Sequence, residues 1–183
     1  ECDGLREKEV CPNNLAPTTS TTAQLIMGDA IAISLLELKN FSKNDFARFH
    51  PGGSLGKRLN LFLNDILEKD NIPKVDEMSK INDVIIEISH KRLGATAVMK
   101  NNKLSGIITD GDLRRMLEKY DDFSLLKAKD IMTSSPITIS SNRLAYDALQ
   151  VMEDNNINQI ILLKEDTYIG IVHIHEILRL GVI

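Results

Sequence analysis

His50-Pro51-Gly52-Gly53-Ser54-Leu55-Gly56-Lys57 sets one histidine on a short, glycine-rich turn. Imidazole takes up and releases protons near neutral pH, so a histidine presented this way is a candidate for proton transfer. The glycines permit backbone angles that other residues resist, and Pro51 fixes its own φ and lacks an amide proton. Upstream, Glu9 lies in the charged stretch Arg6-Glu7-Lys8-Glu9. Between the two, Pro17-Thr18-Thr19-Ser20-Thr21-Thr22 gathers hydroxyls just ahead of an apolar run. Each feature also has a plainer reading. Glu9 reads as a solvated loop residue, His50 as a histidine at the negative end of a helix dipole, and the hydroxyl cluster as a helix cap.

The elements that position these residues follow from the apolar pattern. A helix is expected from about Thr21 to Lys39, started by the hydroxyl cluster. Its apolar residues cover most of its circumference, which predicts burial against a sheet. A second helix is expected at about Lys43 to Phe49, capped by Ser42. The glycine turn follows, and then a helical stretch to about Leu67.

From Asn64 onward the chain repeats itself. Asp147 follows Asp83 by 64 residues, and Gly170 follows Gly106 by the same interval. Asp65-Ile66-Leu67 and Asp130-Ile131-Met132 open the two units. Each unit reads helix, strand, strand, helix, with hairpin turns at Asn101-Asn102 and Glu165-Asp166. Units this small cannot bury both of their faces alone, so the two are expected to pack as a pair.

The chain has 183 residues, with 43% hydrophobic, 26% charged and only 4% aromatic side chains. That composition is ordinary for a globular protein with an aliphatic core. A net charge of −4 argues against a nucleic-acid partner. Cys2 and Cys11 make neither a disulfide framework nor a zinc pattern, and free thiols are expected. His173 and His175 alternate at a strand end without a third ligand, so no metal is expected. The apolar run from Ala30 to Leu36 is too short to cross a bilayer, and no secretory leader is visible, so the expectation is a cytoplasmic protein without a membrane partner. The opening Glu1-Cys2-Asp3-Gly4 reads as the middle of a longer chain.

The repeat resembles a tandem pair of CBS motifs, a Bateman module, over about Asn64 to Ile183. Its signature is Gly106-Ile107-Ile108-Thr109-Asp110-Gly111-Asp112. The resemblance implies that Thr109 and Asp112 hold a nucleotide ribose, whose hydroxyls a carboxylate can accept. A capping role is the plainer reading of Asp110 and Asp112. The second repeat has His173 in place of the Thr and Glu176 in place of the Asp, so one standard nucleotide site is expected. Lys91, Arg92 and Arg114 are candidate partners for a charged ligand there.

Residues 1–60 resemble the C-terminal end of a sugar isomerase (SIS) domain, most closely in the arabinose 5-phosphate isomerases of the KpsF/GutQ group. Glu9-Val10-Cys11-Pro12, Leu15 through Ala23, Met27-Gly28-Asp29-Ala30 and the His50 turn carry that likeness. The implied fold class is α/β: the C-terminal fragment of a doubly wound SIS domain, followed by an α+β tandem CBS module. The implied boundaries are 1–60 for the SIS remnant, 64–126 for the first CBS motif and 128–183 for the second.

The implied reaction is aldose–ketose isomerisation of D-ribulose 5-phosphate to D-arabinose 5-phosphate, which supplies Kdo for lipopolysaccharide or capsule. Such a reaction moves a proton between C1 and C2 through an enediol and needs no cofactor. Glu9 is then the candidate base and His50 the candidate ring-opening or proton-shuttling group, with the roles exchangeable. Thr18, Ser20 and Thr21 are candidates for the sugar phosphate. The family's glycine-rich start and catalytic lysine are not in this chain, so little or no activity is expected of it alone. The CBS ligand is expected to be an adenine nucleotide or, as pathway feedback, CMP-Kdo, and the assembly a homodimer or homotetramer. The alternative is a nucleotide-sensing and oligomerisation module with no catalytic duty.

Overall fold

The computed structural model describes residues 8–68 and 70–182. Cys2, one of the two expected free thiols, lies outside the described residues. The chain divides into two compact units, Glu1–Phe49 and His50–Ile183.

In the first unit a 3-10 turn at Pro12–Asn14 precedes α1 (Thr19–Leu38) and α2 (Lys43–Phe49). Ser42 caps α2 as expected. Its hydroxyl accepts from the Asp45 amide at 3.1 Å, and the Asp45 carboxylate accepts from the Ser42 amide at 2.9 Å. Phe41 and Phe49 stack across this short helix with ring centres 6.2 Å apart, and Ala47 is buried beneath it.

Helix α1 departs from expectation. It was expected to be buried, yet Leu25 is 66% and Leu38 78% exposed, and none of its residues is buried. Among the described residues of this unit no strand is present to cover the helix. Its 20 residues are also long and apolar enough, at a mean hydropathy of 1.3, to cross a membrane by length and composition. That corrects the reading from the Ala30 to Leu36 run, because small residues extend the apolar character in both directions. A core helix of an α/β domain has the same length and composition.

The second unit begins with α3 (Ser54–Asn60) and α4 (Leu63–Ile66). These were expected as one helical stretch. Leu61 and Phe62 are extended instead, because Phe62 bridges to Leu144 and the Leu61 carbonyl accepts from the Ala145 amide at 2.8 Å.

Two matching layers follow. The first has β1 (Lys74–Asp76), α5 (Ile81–Lys91), β2 (Ala95–Lys100), β3 (Lys103–Thr109) and α6 (Asp110–Lys119). After α7 (Ala128–Ile131) and β4 (Thr133–Ser134) come β5 (Thr138–Ser140), α8 (Ala145–Asp154), β6 (Gln159–Lys164), β7 (Thr167–His173) and α9 (Ile174–Arg179). The sheets run β1-β2-β3-β4 and β5-β6-β7, each with a parallel pair followed by an antiparallel hairpin. Both hairpin turns fall where expected. Asn101, Asn102, Glu165 and Asp166 all take positive φ, as a two-residue turn matched to strand twist requires.

The two repeats exchange their opening turns. Leu63 of α4 is buried with Leu149, Ile160 and Val172 of the second repeat. Ala128 of α7 is buried with Val84, Val98 and Ile108 of the first. Gly106 and Gly170 make room for this crossing. A side chain at Gly106 would meet Met132, and one at Gly170 would meet Leu67. A third cluster joins the layers through Leu93, Ala95, Ile107, Ile161 and Ile171.

Candidate functional site

At the start of α1 the structure brings together Glu9, Thr18 and Ser20. The Glu9 carboxylate accepts from the amides of Thr18 at 2.8 Å and Ser20 at 3.1 Å. It therefore satisfies helix-start donors that have no partner within the helix. This corrects the expected cap: the acceptor is a carboxylate from nine residues upstream, and Thr18 makes no side-chain cap to α1. The Thr18 hydroxyl oxygen accepts instead from the amides of Val10 at 3.1 Å and Cys11 at 3.3 Å. The Thr21 hydroxyl donates to the Thr18 carbonyl at 2.9 Å. The hydroxyl cluster thus folds the Val10–Thr22 segment onto itself. Cys11 is a free thiol whose sulfur accepts from the Ala16 amide at 3.2 Å.

His50 opens the second unit and is exposed. Its turn closes where the Gly53 amide donates to the His50 carbonyl at 3.2 Å. Gly53 lies at φ −76°, and Gly52 also avoids positive φ, so the turn does not use the left-handed region its glycines would allow. The demanding position is Gly56. A Cβ there would sit 2.7 Å from the Pro51 carbonyl oxygen and would also collide with that of His50.

In the first repeat, Thr109 and Asp112 form a capping box on α6. Asp112 Oδ2 accepts from the Thr109 hydroxyl at 2.7 Å and the Thr109 amide at 2.8 Å. Its Oδ1 accepts from Arg115 at 2.7 Å and from the Thr133 hydroxyl of β4 at 3.3 Å. Asp112 is only 7% exposed. Burial opposes its ionisation, but the Thr109 hydroxyl and amide and then Arg115 outweigh it and hold the carboxyl below the ordinary value. Beside it lies a recess lined by Asp112, Arg115, Met116, Lys119, Tyr120, Asp130 and Ile131.

Arg115, rather than Arg114, pairs with Asp112. The signal was available, as position i+3 on a helix faces its partner. Thr133 carried no such local signal, being brought in by β4. Lys91 and Arg92 end α5 and do not line the Asp112 recess. Lys91 Nζ donates to the Asp70 carbonyl at 3.5 Å, and Arg92 closes the helix at φ 58°.

The second repeat builds the same cap from different residues. His173 Nδ1 accepts from the His175 amide at 3.1 Å, and Glu176 accepts from the His173 amide at 2.9 Å. The two imidazoles stack with centres 4.9 Å apart. Burial and then His175 hold the His173 pKa below that of an ordinary imidazole. No group of three His, Cys, Asp or Glu side chains arranged for a metal is present among the described residues.

The CBS domain family model matches residues 63–119 and 128–182. Among solved structures, a CBS-domain protein from Agrobacterium tumefaciens is similar at TM-score 0.59 and 18% identity, over 65% of this chain and 92% of that one. A CBS-domain protein from Pyrobaculum aerophilum complexed with AMP is similar at TM-score 0.57 and 18% identity, over 63% and 89%. The arabinose 5-phosphate isomerase KdsD of Yersinia pestis is 43% identical over 96% of this chain and 54% of its own length. The same-named enzyme of Francisella tularensis is 46% identical over 95% and 54%. The chain spans about half the length of these curated relatives. It belongs to the CBS-domain family, carries that motif twice, and is similar over nearly its whole length to part of the arabinose 5-phosphate isomerases.

Proposed function

We propose that this chain is the C-terminal part of a D-arabinose 5-phosphate isomerase, with a CBS pair that regulates it by binding a nucleotide-bearing ligand. The identity of 42–46% to enzymes of that name over 95–96% of the chain carries the reading. In it, residues 1–60 complete an SIS domain, with CBS motifs at 64–126 and 128–183. His50, exposed on its turn, handles the ring-opening and hydroxyl protons, and Glu9 moves the proton between C1 and C2. Thr18, Ser20 and Thr21 bind the sugar phosphate, Thr18 and Ser20 from beside Glu9. The chain alone is inactive, because catalytic groups act as a unit and these are only some of them.

The ligand belongs at Thr109, Asp112, Arg115 and Thr133. A ribose would take the acceptor positions on Asp112 that Arg115 and Thr133 now fill, and the released guanidinium would meet the phosphate. AMP in the Pyrobaculum aerophilum relative supports a nucleotide, and CMP-Kdo is the feedback alternative. The proposed setting is cytoplasmic, and the proposed assembly a homodimer or homotetramer.

The test has two arms. The product of the complete coding sequence is assayed with D-ribulose 5-phosphate, and failure to convert it removes the catalytic reading. Calorimetric titration of the 183-residue chain with AMP and CMP-Kdo tests the second site, where heat from neither removes the sensing role. One observation favours a purely regulatory module as the second reading: the Glu9 carboxylate is already engaged in capping α1. Conversion by the complete protein decides between the two.

A further inference from the structure

The His50 turn is tied to the second CBS motif through one side chain. Arg58, on α3, donates from Nε to the carbonyl of Val182 at 2.9 Å. Its guanidinium carbon lies 4.6 Å from the centre of the Tyr146 ring on α8, a cation–π distance. The acceptor is itself anchored, because Val182 is fully buried in the second repeat's core. From Arg58 back to His50 the chain is stiff. The Lys57 amide donates to the Gly53 carbonyl at 3.0 Å, the Gly53 amide to that of His50 at 3.2 Å, and Gly56 lies against the His50 and Pro51 carbonyls. Forward of Arg58, the Leu61 carbonyl is held by the Ala145 amide at 2.8 Å. Helix α3 is thus clamped at Arg58 and Leu61, and His50 rides on its other end.

We infer that Arg58 is a positioning residue that sets the placement of His50 from the second CBS motif. A shift of α8 or of the segment ending at Val182 moves Arg58, and α3 carries the shift to the His50 turn. The weight of this for catalysis rests on the proposed proton-handling role of His50. The coupling itself is measured without activity, so failure of one is distinguishable from failure of the other.

The experiment follows the His50 imidazole resonances by NMR in the full 183-residue chain, with hydrogen exchange read in parallel at the amides of Lys57 and Leu61 and at β6. Arg58→Ala is expected to shift the His50 resonances. It should also speed exchange at Lys57 and Leu61 about tenfold relative to β6. Tyr146→Leu, which removes the ring and keeps apolar bulk, should do the same to a smaller degree. Arg58→Lys retains a cation over the ring but loses the Nε donor, and should fall between wild type and Arg58→Ala. A purely structural role would speed β6 in proportion and leave the His50 resonances in place. That result, or wild-type exchange at Lys57 in all three variants, overturns the inference.

Discussion

Thr109 and His173 stand 64 residues apart and occupy the same place in the two repeats, where each closes the start of its repeat's last helix. Thr109 uses a hydroxyl, which does not titrate in the physiological range. His173 uses a neutral ring nitrogen, which accepts only while it is unprotonated. The caps are equivalent in position and unequal in their response to acid.

That difference sets a pH dependence. Burial and then His175 hold the His173 pKa below that of an ordinary imidazole, so the unfolded chain takes up this proton before the folded one does as pH falls. Stability from neutral His173 is therefore complete above the unfolded value and is lost as pH falls through the folded one. Urea unfolding of wild type and His173→Thr between pH 8 and pH 5 tests it. The midpoint of wild type should fall over that window, and that of the variant should fall less. Equal slopes would show that His173 contributes nothing to the acid response.

Asp112 acts at lower pH with the same sign. Its folded pKa is held below the unfolded value, so its contribution is present above ordinary carboxylate pH and is lost as pH falls through the folded pKa. Asp112→Asn should cost about 1–2 kcal/mol at pH 7, the scale of a lost charged cap and its charge-assisted bonds. Arg115→Ala should cost under about 1 kcal/mol, because the Arg115 side chain is 67% exposed and its pairing is screened by water. Denaturant titration of both variants checks the ranking. A larger loss from Arg115 than from Asp112 would contradict the site as described.

Exchange of the opening turns makes a prediction that runs against chain order. Leu63 opens the first repeat yet is fully buried in the core of the second. Leu63→Ala should cost about 2–5 kcal/mol, as for other large-to-small core changes. In hydrogen exchange the loss should appear first in β6 and β7 and later in β2 and β3. Loss confined to the first repeat would refute the exchanged packing.

The repeats were legible because their pattern is local. Periodic apolar residues define α5 and α8, and the paired turn residues at Asn101 and Glu165 mark both hairpins. The second cap was legible only as a departure: His173 and Glu176 read as a damaged nucleotide signature, and the structure shows a working helix cap. Crossing of Leu63 and Ala128 was hidden, because periodicity marks a residue as buried without naming the core that receives it. The expected cover for α1 came from its composition, which does not supply a covering sheet. The plainer reading of Glu9, as a solvated loop residue, missed its bonds to the amides of Thr18 and Ser20, which lie nine and eleven residues away and are brought near by the turn at Pro12–Asn14.

Gly56 tests the turn on which His50 is presented. The argument there is close approach, since Gly56 has no unusual backbone angle and is buried against the carbonyls of His50 and Pro51. A methyl group at 2.7 Å from the Pro51 oxygen cannot be accommodated by a flexible side chain, because backbone must move. Gly56→Ala should therefore cost about 1–3 kcal/mol, the range for overpacking. Gly52→Ala meets nothing within 4 Å and should be near neutral. Thermal unfolding of the two variants, with the His50 imidazole resonances as a local probe, separates the positions. Gly56→Ala should move those resonances and Gly52→Ala should move them less. The reverse order would mean that the turn is held by its exposed glycines rather than by the contact beneath it.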